Sequence, residues 1–326
     1  MDGSGTTTFT DPDDYRASVI GARINFVLTG CGDFKARLTW VRLRHLSLVR
    51  RQDNVPRIAF VTLPPKLVVV AFPTSLDPPQ IWGGSKLDFG DIILHGLGER
   101  IHQRTSGDSQ WGFISLAPED LAAYGSALAG VDLTPPPFAR ILRPPSVAAA
   151  HLLHLHAQAC RLAETKPEII AHREVARALE QDLIHALINC LTASDERGHA
   201  SARHRHTEIM ARFEDVLASH PDRQLPMPEL CAAIGPPERT LRACCAEFLG
   251  MSPCSYARLR RLNLVRAALR RADPATASIA EIARRYGFSE LGRFAAVYRA
   301  AFGETPSTTL RGAGSRVRDP ASAEFA

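Results

Sequence analysis

The spacing of hydrophobic and polar residues changes partway along the chain. Up to about residue 145, short apolar runs that alternate with polar residues are separated by turns rich in proline and glycine, which is typical of β-strands. Beyond that point apolar residues recur every three or four positions, which is typical of amphipathic α-helices. The pattern predicts an α+β protein with a β-rich N-terminal part and an all-α C-terminal part.

Strand-like segments fill the first part. The segment 33–50 alternates well enough to predict two strands. Further β-rich runs, separated by turns such as Pro64-Pro65 and Gly83-Gly84, cover Ile58–Leu63, Leu67–Phe72, Phe89–Leu94 and Trp111–Leu116. These runs predict a small barrel or sandwich, followed by a helix that begins at Pro118.

Two longer helices are predicted next, at 146–165 and 167–192. Their apolar positions recur at helical spacing: Leu152, Leu155, Ala159, Leu162, Val175, Leu179, Leu183, Leu187 and Leu191. We expect an antiparallel hairpin that packs on the β-rich domain. Its remaining face is available for a homodimer contact, although core packing alone explains the same pattern.

The segment 278–311 has the pattern of a helix-turn-helix. Ser278 and Glu281 form a capping box, and Gly287 ends the first helix. The second helix has an apolar face of Phe294, Val297, Tyr298, Ala301 and Phe302. Its opposite face is small or cationic, with Gly292, Arg293, Ala296 and Arg299. Such a face suits a DNA major groove, although an ordinary amphipathic helix pair has the same pattern.

A second copy of this unit lies upstream. Five apolar residues each precede a counterpart in the segment above by 53 positions: Leu241, Cys244, Cys245, Phe248 and Leu249. Both copies end in glycine, at Gly250 and Gly303, with Pro253 and Pro306 blocking continuation of the helix. Duplication favours two helix-turn-helix units, and a long helix with Tyr256, Leu259, Leu262, Val265 and Leu269 joins them.

These residues resemble the AraC-type transcriptional regulators. In the first unit the matching residues are Leu230-Cys231, Gly235, Arg239-Thr240-Leu241-Arg242, Leu249-Gly250 and Pro253. In the second unit they are Ile279, Ile282-Ala283, Gly287-Phe288, Phe294, Phe302-Gly303 and Thr305-Pro306. Segments 261–266 and 291–295 look most similar to the branch typified by regulators of ethanolamine-utilisation operons. The resemblance implies a DNA-binding domain of two helix-turn-helix units joined by a long helix.

Composition and periodicity divide the chain further. Residues 1–14 are polar and acidic and residues 313–326 lack periodicity, so we expect both ends to be disordered. Residues 15–193 are expected to form a sensor and dimerisation domain, the polar segment 194–206 a linker, and residues 207–312 the DNA-binding domain.

Positive charge is concentrated in the helix-turn-helix part. Residues 203–312 contain 17 Arg, no Lys and 11 Asp or Glu, a balance of +6, whereas residues 1–202 contain 20 basic and 21 acidic residues, a balance of −1. An excess of arginine suits contact with DNA phosphates. Any single arginine is equally explained as a solvated surface charge.

Three arginines are the expected base readers: Arg239 and Arg242 in the first unit and Arg293 in the second. Arginine can form two hydrogen bonds with guanine, a contact that contributes roughly 1–3 kcal/mol of base discrimination. Thr240 and Arg299 are expected to contact phosphates. The first unit should therefore contribute more of the base-specific reading.

Three small residues complete the expected interface. Ala243 and Ala296 stand where the resembled family often has a base-contacting arginine, and their methyl groups can meet thymine methyls instead. Gly292 costs about 1 kcal/mol of helix stability relative to alanine. A close approach of the backbone to DNA would explain its presence.

Other chemistry has weak signals. His151 and His154 share one helical face, but His156 points elsewhere and no carboxylate or cysteine supplies a third ligand at helical spacing. The seven cysteines contain no C-x-x-C pair. No metal site and no cofactor is therefore predicted. We interpret Cys244 and Cys245 as reduced core residues. The sequence lacks a P-loop, G-x-S-x-G and H-E-x-x-H, and no catalytic residue is proposed.

The predicted function is regulation of transcription, including activation, by binding double-stranded DNA. The expected partners are RNA polymerase, a second copy of the chain and a small-molecule effector at the N-terminal domain. No apolar segment has the length of a membrane span and no signal region is visible, so we expect a cytoplasmic protein. One alternative is an enzyme domain tethered to a DNA-binding module, and another is an unliganded regulator that acts through protein contacts.

Overall fold

A computed structural model of the chain describes residues 3–18, 22–75, 78–196 and 200–316. The chain divides into two compact units. Unit 1 comprises Met1–Phe26, Asp33–Val55 and Ala59–Thr207, and unit 2 comprises Val27–Gly32, Pro56–Ile58 and Glu208–Ala326. The fold class is α+β, as the sequence predicted.

Strands occupy most of the first half of the chain. They are β1 (Ser4–Phe9), β2 (Arg23–Leu28), β3 (Ala36–Arg42), β4 (Leu46–Asp53), β5 (Arg57–Thr62), β6 (Val68–Pro73), β7 (Ile81–Trp82), β8 (Ser85–Lys86), β9 (Ile92–Leu94), β10 (Arg100–Thr105), β11 (Ser109–Leu116), β12 (Arg140–Arg143) and β13 (Asp195–Glu196).

Helices dominate the remainder. They are α1 (Pro12–Ala17), α2 (Pro118–Ala129), α3 (Ser146–Thr165), α4 (Pro167–Ala171), α5 (Arg173–Thr192), α6 (Ala200–Ser219), α7 (Met227–Ile234), α8 (Glu238–Leu249), α9 (Pro253–Arg271), α10 (Ile279–Arg285), α11 (Leu291–Phe302) and α12 (Pro306–Arg316).

Two open sheets form a sandwich. The larger sheet has the order β1-β3-β4-β11-β6-β9-β12-β13, and the smaller has the order β2-β5-β10-β7-β8. In the larger sheet the neighbours β3, β4, β11 and β6 are antiparallel, and their register places Ile114 opposite both Leu48 and Val70. The sandwich half of the barrel-or-sandwich prediction is therefore confirmed.

Alternation along the central strands determines which layer each side chain joins. In β6, Val68, Val70 and Phe72 enter a core shared with α2, α3 and α5. Val69 and Ala71 enter a second core shared with β5, β7 and β10 of the smaller sheet. The larger sheet is thus buried on both faces, which explains why its central strand is a continuous apolar run rather than an alternating one.

The helical hairpin was predicted well. α3 has the predicted bounds, and it packs together with α5 against the larger sheet. The second predicted helix, 167–192, is interrupted at His172, which is extended and separates α4 from α5. The bend follows no proline or glycine, so the sequence carried no signal for it.

Two expectations of irregular structure are wrong, and a third is wrong only for its first four residues. Residues 1–14 were expected to be disordered, but β1 pairs with β3 over Ser4–Phe9 and α1 begins at Pro12. The expected linker 194–206 contains β13 and the start of α6. The expected tail 313–326 contains the end of α12, and residues 317–326 lie outside the described residues. Backbone pairing and helix extension are favourable for polar sequences too, which composition does not reveal.

Two properties of the described part of the chain bear on function. None of its helices is both long and apolar enough to cross a membrane. No group of three or more His, Cys, Asp or Glu is placed to hold a metal ion within the same residues. Of the three histidines weighed as ligands, His156 is buried, whereas His151 and His154 are exposed.

The burial of His156 makes the stability of unit 1 depend on pH. Its Nε2 lies 3.1 Å from the Val49 carbonyl oxygen, an acceptor that requires an N–H donor. Burial, opposed by that hydrogen bond and assisted by the nearby Arg50 charge, lowers the pKa of His156 from 6.5 to about 4. Between these values the unfolded chain binds a proton that the folded chain does not, so the free energy of unfolding falls as the pH decreases.

We therefore predict that His156→Gln removes part of the acid sensitivity. Between pH 7 and pH 5 the wild-type chain should lose about 2 kcal/mol of unfolding free energy through this group, and the variant should not. Urea unfolding followed by tryptophan fluorescence measures this in unit 1, which contains Trp40, Trp82 and Trp111. The exposed His154→Gln is the control. Identical pH dependence in wild type and His156→Gln would contradict the assignment.

Candidate nucleic-acid interface

The first helix-turn-helix consists of α7 and α8. α8 buries the predicted stripe of Leu241, Cys244, Cys245, Phe248 and Leu249. This stripe packs in one core with Ile209, Met210 and Phe213 of α6. Burial raises the pKa of the Cys244 thiol to about 11 and that of Cys245 further, which favours the unreactive thiol.

The second helix-turn-helix repeats the geometry of the first. α11 begins and ends 53 residues after α8 begins and ends, and α12 begins 53 residues after α9 begins. Ser278 caps α10, since its hydroxyl oxygen accepts the Glu281 N–H at 3.3 Å. The rings of Phe294, Tyr298 and Phe302 pack in sequence along α11, with centroids 5.6 Å and 4.8 Å apart. The predicted duplication therefore extends to the helix bounds.

The long helix α9 connects the two units. It buries Tyr256, Leu262, Val265 and Leu269. The Tyr256 hydroxyl donates to the buried carboxylate of Glu214, and Arg260 lies 3.4 Å from the same carboxylate. A buried carboxylate with both partners ties the start of α9 to α6.

The turn between α10 and α11 is closed by Arg261 of α9. Its Nη1 donates to the carbonyl oxygens of Tyr286 and Gly287 at 3.2 Å and 3.4 Å. Its guanidinium also lies 5.0 Å from the centre of the Phe288 ring. Gly287 has φ of +77°, and a Cβ there would lie 2.4 Å from the Asp222 carbonyl oxygen. The turn thus requires glycine for both its conformation and its close packing.

The eight predicted contact residues lie on α8 and α11, on the faces opposite the buried stripes. All are exposed except the half-buried Thr240: Arg239, Arg242, Ala243, Gly292, Arg293, Ala296 and Arg299. A Cβ at Gly292 would meet no atom within 4 Å. Each helix therefore presents one small and cationic face to solvent, and contact of these residues with DNA stays a prediction.

Two carboxylates accompany the predicted base readers, and sequence reasoning missed both. Arg242 Nε donates to Glu238 Oε1 at 2.7 Å, and this hydrogen bond raises the pKa of Arg242. Arg293 Nη1 lies 3.9 Å from Glu290 Oε2. A glutamate one turn before an arginine is the signal that was available. Because both pairs are exposed, they hold the arginines only weakly and leave them free to exchange partners.

Asn263 of α9 is a further residue that the sequence did not single out. Within unit 2 its Oδ1 accepts the Leu28 N–H at 2.9 Å, and its Nδ2 donates to the Leu28 carbonyl oxygen at 3.2 Å. The two bonds satisfy both backbone groups of one residue far away in sequence. A pairing of this kind has no local sequence signal.

Comparison with known proteins agrees with this geometry. A family model described as a helix-turn-helix domain matches residues 230–312. This range begins within α7 and includes α8, α9, the second helix-turn-helix unit and part of α12. The matched segment is thus a double helix-turn-helix domain.

Two similar proteins are operon regulators by name. The probable thc operon regulatory protein of Rhodococcus erythropolis is 36% identical over 97 residues, which cover 30% of this chain and 29% of that protein. The XylDLEGF operon transcriptional activator of Pseudomonas putida is 53% identical over 62 residues, which cover 19% of each. The matches therefore span less than a third of the length of these relatives.

Two solved structures resemble the chain over most of its length. The AraC-like transcriptional activator CuxR has a TM-score of 0.42 at 14% identity, covering 81% of this chain and 95% of CuxR. ToxT from Vibrio cholerae has a TM-score of 0.30 at 10% identity, covering 89% of this chain and 98% of ToxT.

We predict that two glycines of the second unit respond oppositely to alanine. Gly287→Ala should reduce the free energy of unfolding by several kcal/mol, because it combines a positive φ with a backbone clash. Gly292→Ala should leave the free energy of unfolding unchanged or increase it by up to about 1 kcal/mol. Chemical denaturation followed by circular dichroism measures both.

Gly292→Ala also tests whether the α11 backbone contacts DNA, because the substitution does not disturb the packing of the protein. Gly292→Ala should fold normally yet bind duplex DNA more weakly, if the α11 backbone approaches the groove closely at this point. Fluorescence anisotropy with a labelled duplex checks this. Undiminished affinity of Gly292→Ala would show that no close approach occurs at this glycine.

Proposed function

We propose that the protein is a sequence-specific, DNA-binding regulator of transcription. The supporting observation is the duplication in unit 2, where α8 and α11 each bury one apolar stripe and expose a small and cationic face. Two such helices, connected by α9, suit two successive major-groove segments that lie roughly 34 Å or 10 base pairs apart. The excess of arginine in this part of the chain supports binding to the phosphate backbone.

Base reading is proposed to fall mainly on α8. Arg239 and Arg242 are long enough to reach guanine O6 and N7, and the Glu238 carboxylate next to Arg242 can accept from cytosine N4. On α11, Arg293 is the corresponding base reader. Thr240 and Arg299 would contact phosphates, and Ala243 and Ala296 would meet thymine methyls.

Activation is the proposed direction of regulation, because one of the matched relatives is named a transcriptional activator. We propose that the protein contacts RNA polymerase while it is bound to DNA as a homodimer. The outer face of α3, which carries Val147 at 81% exposure, is the proposed dimer contact. A protein that regulates transcription in this way acts in the cytoplasm.

Unit 1 is proposed to receive the regulatory signal. Between its two sheets Trp82 and Trp111 are in contact, with ring centroids 4.5 Å apart, and the cavity beside Trp82 measures about 20 Å³. That volume holds about one water molecule. A groove of about 450 Å³ lined by Lys35, Arg37, Asp53 and Asp108 offers more room. An effector or a partner protein at that groove is therefore favoured over an effector between the sheets.

The finer family placement rests on segments 261–266 and 291–295, which look most like the ethanolamine-utilisation regulators. These segments belong to the DNA-binding part, so they carry no information about the effector. The enzyme alternative is not favoured, since the matched relatives are regulators by name. We propose no catalytic residues.

Arginine variants test the DNA proposal. We predict that Arg242→Ala lowers the ratio of specific to nonspecific duplex affinity about five- to hundredfold, because two hydrogen bonds to a base are lost. Arg293→Ala should lower the ratio less. Arg299→Ala should weaken both affinities equally, since phosphates carry no sequence information.

The measurement is fluorescence anisotropy with a duplex from upstream of the protein's own gene and a scrambled duplex of equal length, at fixed salt. Arg311→Gln is the control, because Arg311 is exposed and lies on α12 rather than on α8 or α11. An unchanged affinity ratio in both Arg242→Ala and Arg293→Ala would refute the residue assignments. Equal affinity of the wild-type chain for all duplexes would refute sequence-specific binding.

A further inference from the structure

A cavity of about 390 Å³ lies within unit 2. Its walls are the first turns of α9, the turn between α10 and α11, and the start of α11. The residues that give it its chemistry are Gln224, Ser255, Arg258, Arg261, Glu290 and Arg293. Three of these side chains are cationic and one is acidic, so the cavity is suited to an anion.

Arg261 at this cavity is a buried cation that forms no ion pair with any carboxylate of the described residues. It is 4% exposed, and its hydrogen-bond acceptors are the Tyr286 and Gly287 carbonyl oxygens and the Gln224 amide oxygen, all of them neutral. Its Nε has no partner in the described part of the chain. A buried guanidinium normally pairs with an anion, because unpaired burial of charge is costly.

A second cation increases the demand for an anion. Arg258 lines the same cavity, and burial together with the Arg258 charge lowers the pKa of Arg261. Bringing two guanidinium groups together is unfavourable unless negative charge lies between them. Glu290 is the one carboxylate among the lining residues, and it lies beside the exposed Arg293.

The start of α11 adds further donors. Glu290 at the start of α11 makes no side-chain cap hydrogen bond, as is also the case at the starts of α7 and α8. The first N–H groups of a helix without a cap need another acceptor, and the helix dipole favours an anion there. Glu290 also lines the cavity, so this helix start faces the same space as Arg261.

We propose that this cavity binds a phosphate group, with Arg258 and Arg261 pairing with its oxygens and the start of α11 facing it. A phosphate fits better than a carboxylate because its additional oxygens and charge can satisfy two guanidinium groups and backbone N–H donors together. The volume leaves room for the rest of a phosphorylated molecule.

Two sources supply this chemistry. One is a backbone phosphate of bound duplex DNA, in which case the inference rests on the proposed function and explains how α11 is positioned. The other is the phosphate of a small molecule, in which case the site is an effector site independent of unit 1.

Calorimetric titration of the full chain with inorganic phosphate tests the site itself. We expect saturable binding that Arg258→Gln weakens about tenfold. Glu290→Gln should strengthen binding several-fold, because it removes the one repulsive carboxylate. Arg311→Gln, which removes an exposed arginine outside the cavity, should bind as the wild type does. Opposite effects at Arg258 and Glu290 are not expected from a general loss of structure.

Duplex DNA distinguishes the sources. If a backbone phosphate fills the cavity, saturating duplex abolishes the binding of inorganic phosphate, and Arg258→Gln reduces the slope of log affinity against log salt by about one. If a small molecule fills it, inorganic phosphate also binds the duplex-bound protein and shifts its DNA affinity.

The site is refuted if the wild-type chain shows no saturable phosphate binding and Arg258→Gln leaves the salt slope unchanged. It is also refuted if phosphate binds equally to wild type, Arg258→Gln and Glu290→Gln. A chain that binds phosphate through Arg258 but prefers no DNA sequence would instead contradict the proposed function and leave the phosphate site standing.

Discussion

Burial along α9 is the constraint on which the DNA-binding part depends. Tyr256, Leu262, Val265 and Leu269 are each 1% exposed or less, so this helix cannot rotate or slide without exposing apolar surface. At its start it is fixed to α6 through Glu214, and Arg261 closes the turn that leads into α11. The positions of α8 and α11 therefore follow from one helix, and the proposed reading of two grooves needs such a fixed separation.

This constraint also explains why α8 and α11 each have one buried face and one face that is available for binding. Each helix buries its apolar stripe in the core, so only the opposite face is available to contact another molecule. On that face Arg242 and Arg293 are paired with carboxylates one turn earlier, at Glu238 and Glu290. An exposed pair of this kind restricts the arginine in the free protein, and a guanine or a phosphate can replace the carboxylate at little cost. The paired arginines on this face are therefore partly ordered in the free protein but remain available to bind a ligand.

Periodicity in the sequence predicted the elements whose side chains alternate between core and solvent. The bounds of α3 and the equal spacing of α8 and α11 are examples, because each helix buries one regular stripe. Elements held by backbone pairing were missed, such as β1, where the polar Thr6, Thr7 and Thr8 pair with β3. The candidate site shows the same limit. Exposed arginines on a regular face were found, whereas Arg261 and Asn263 depend on partners far away in sequence.

The most direct test of a fixed pair of DNA-reading helices is hydroxyl-radical footprinting of the full chain on its upstream duplex. The structure predicts that each bound chain protects two short segments on one face of the DNA, with centres about 10 base pairs apart. Inserting half a helical turn of DNA between these two segments should abolish their joint protection. A single protected segment, or protection that tolerates a half-turn insertion, would contradict the account.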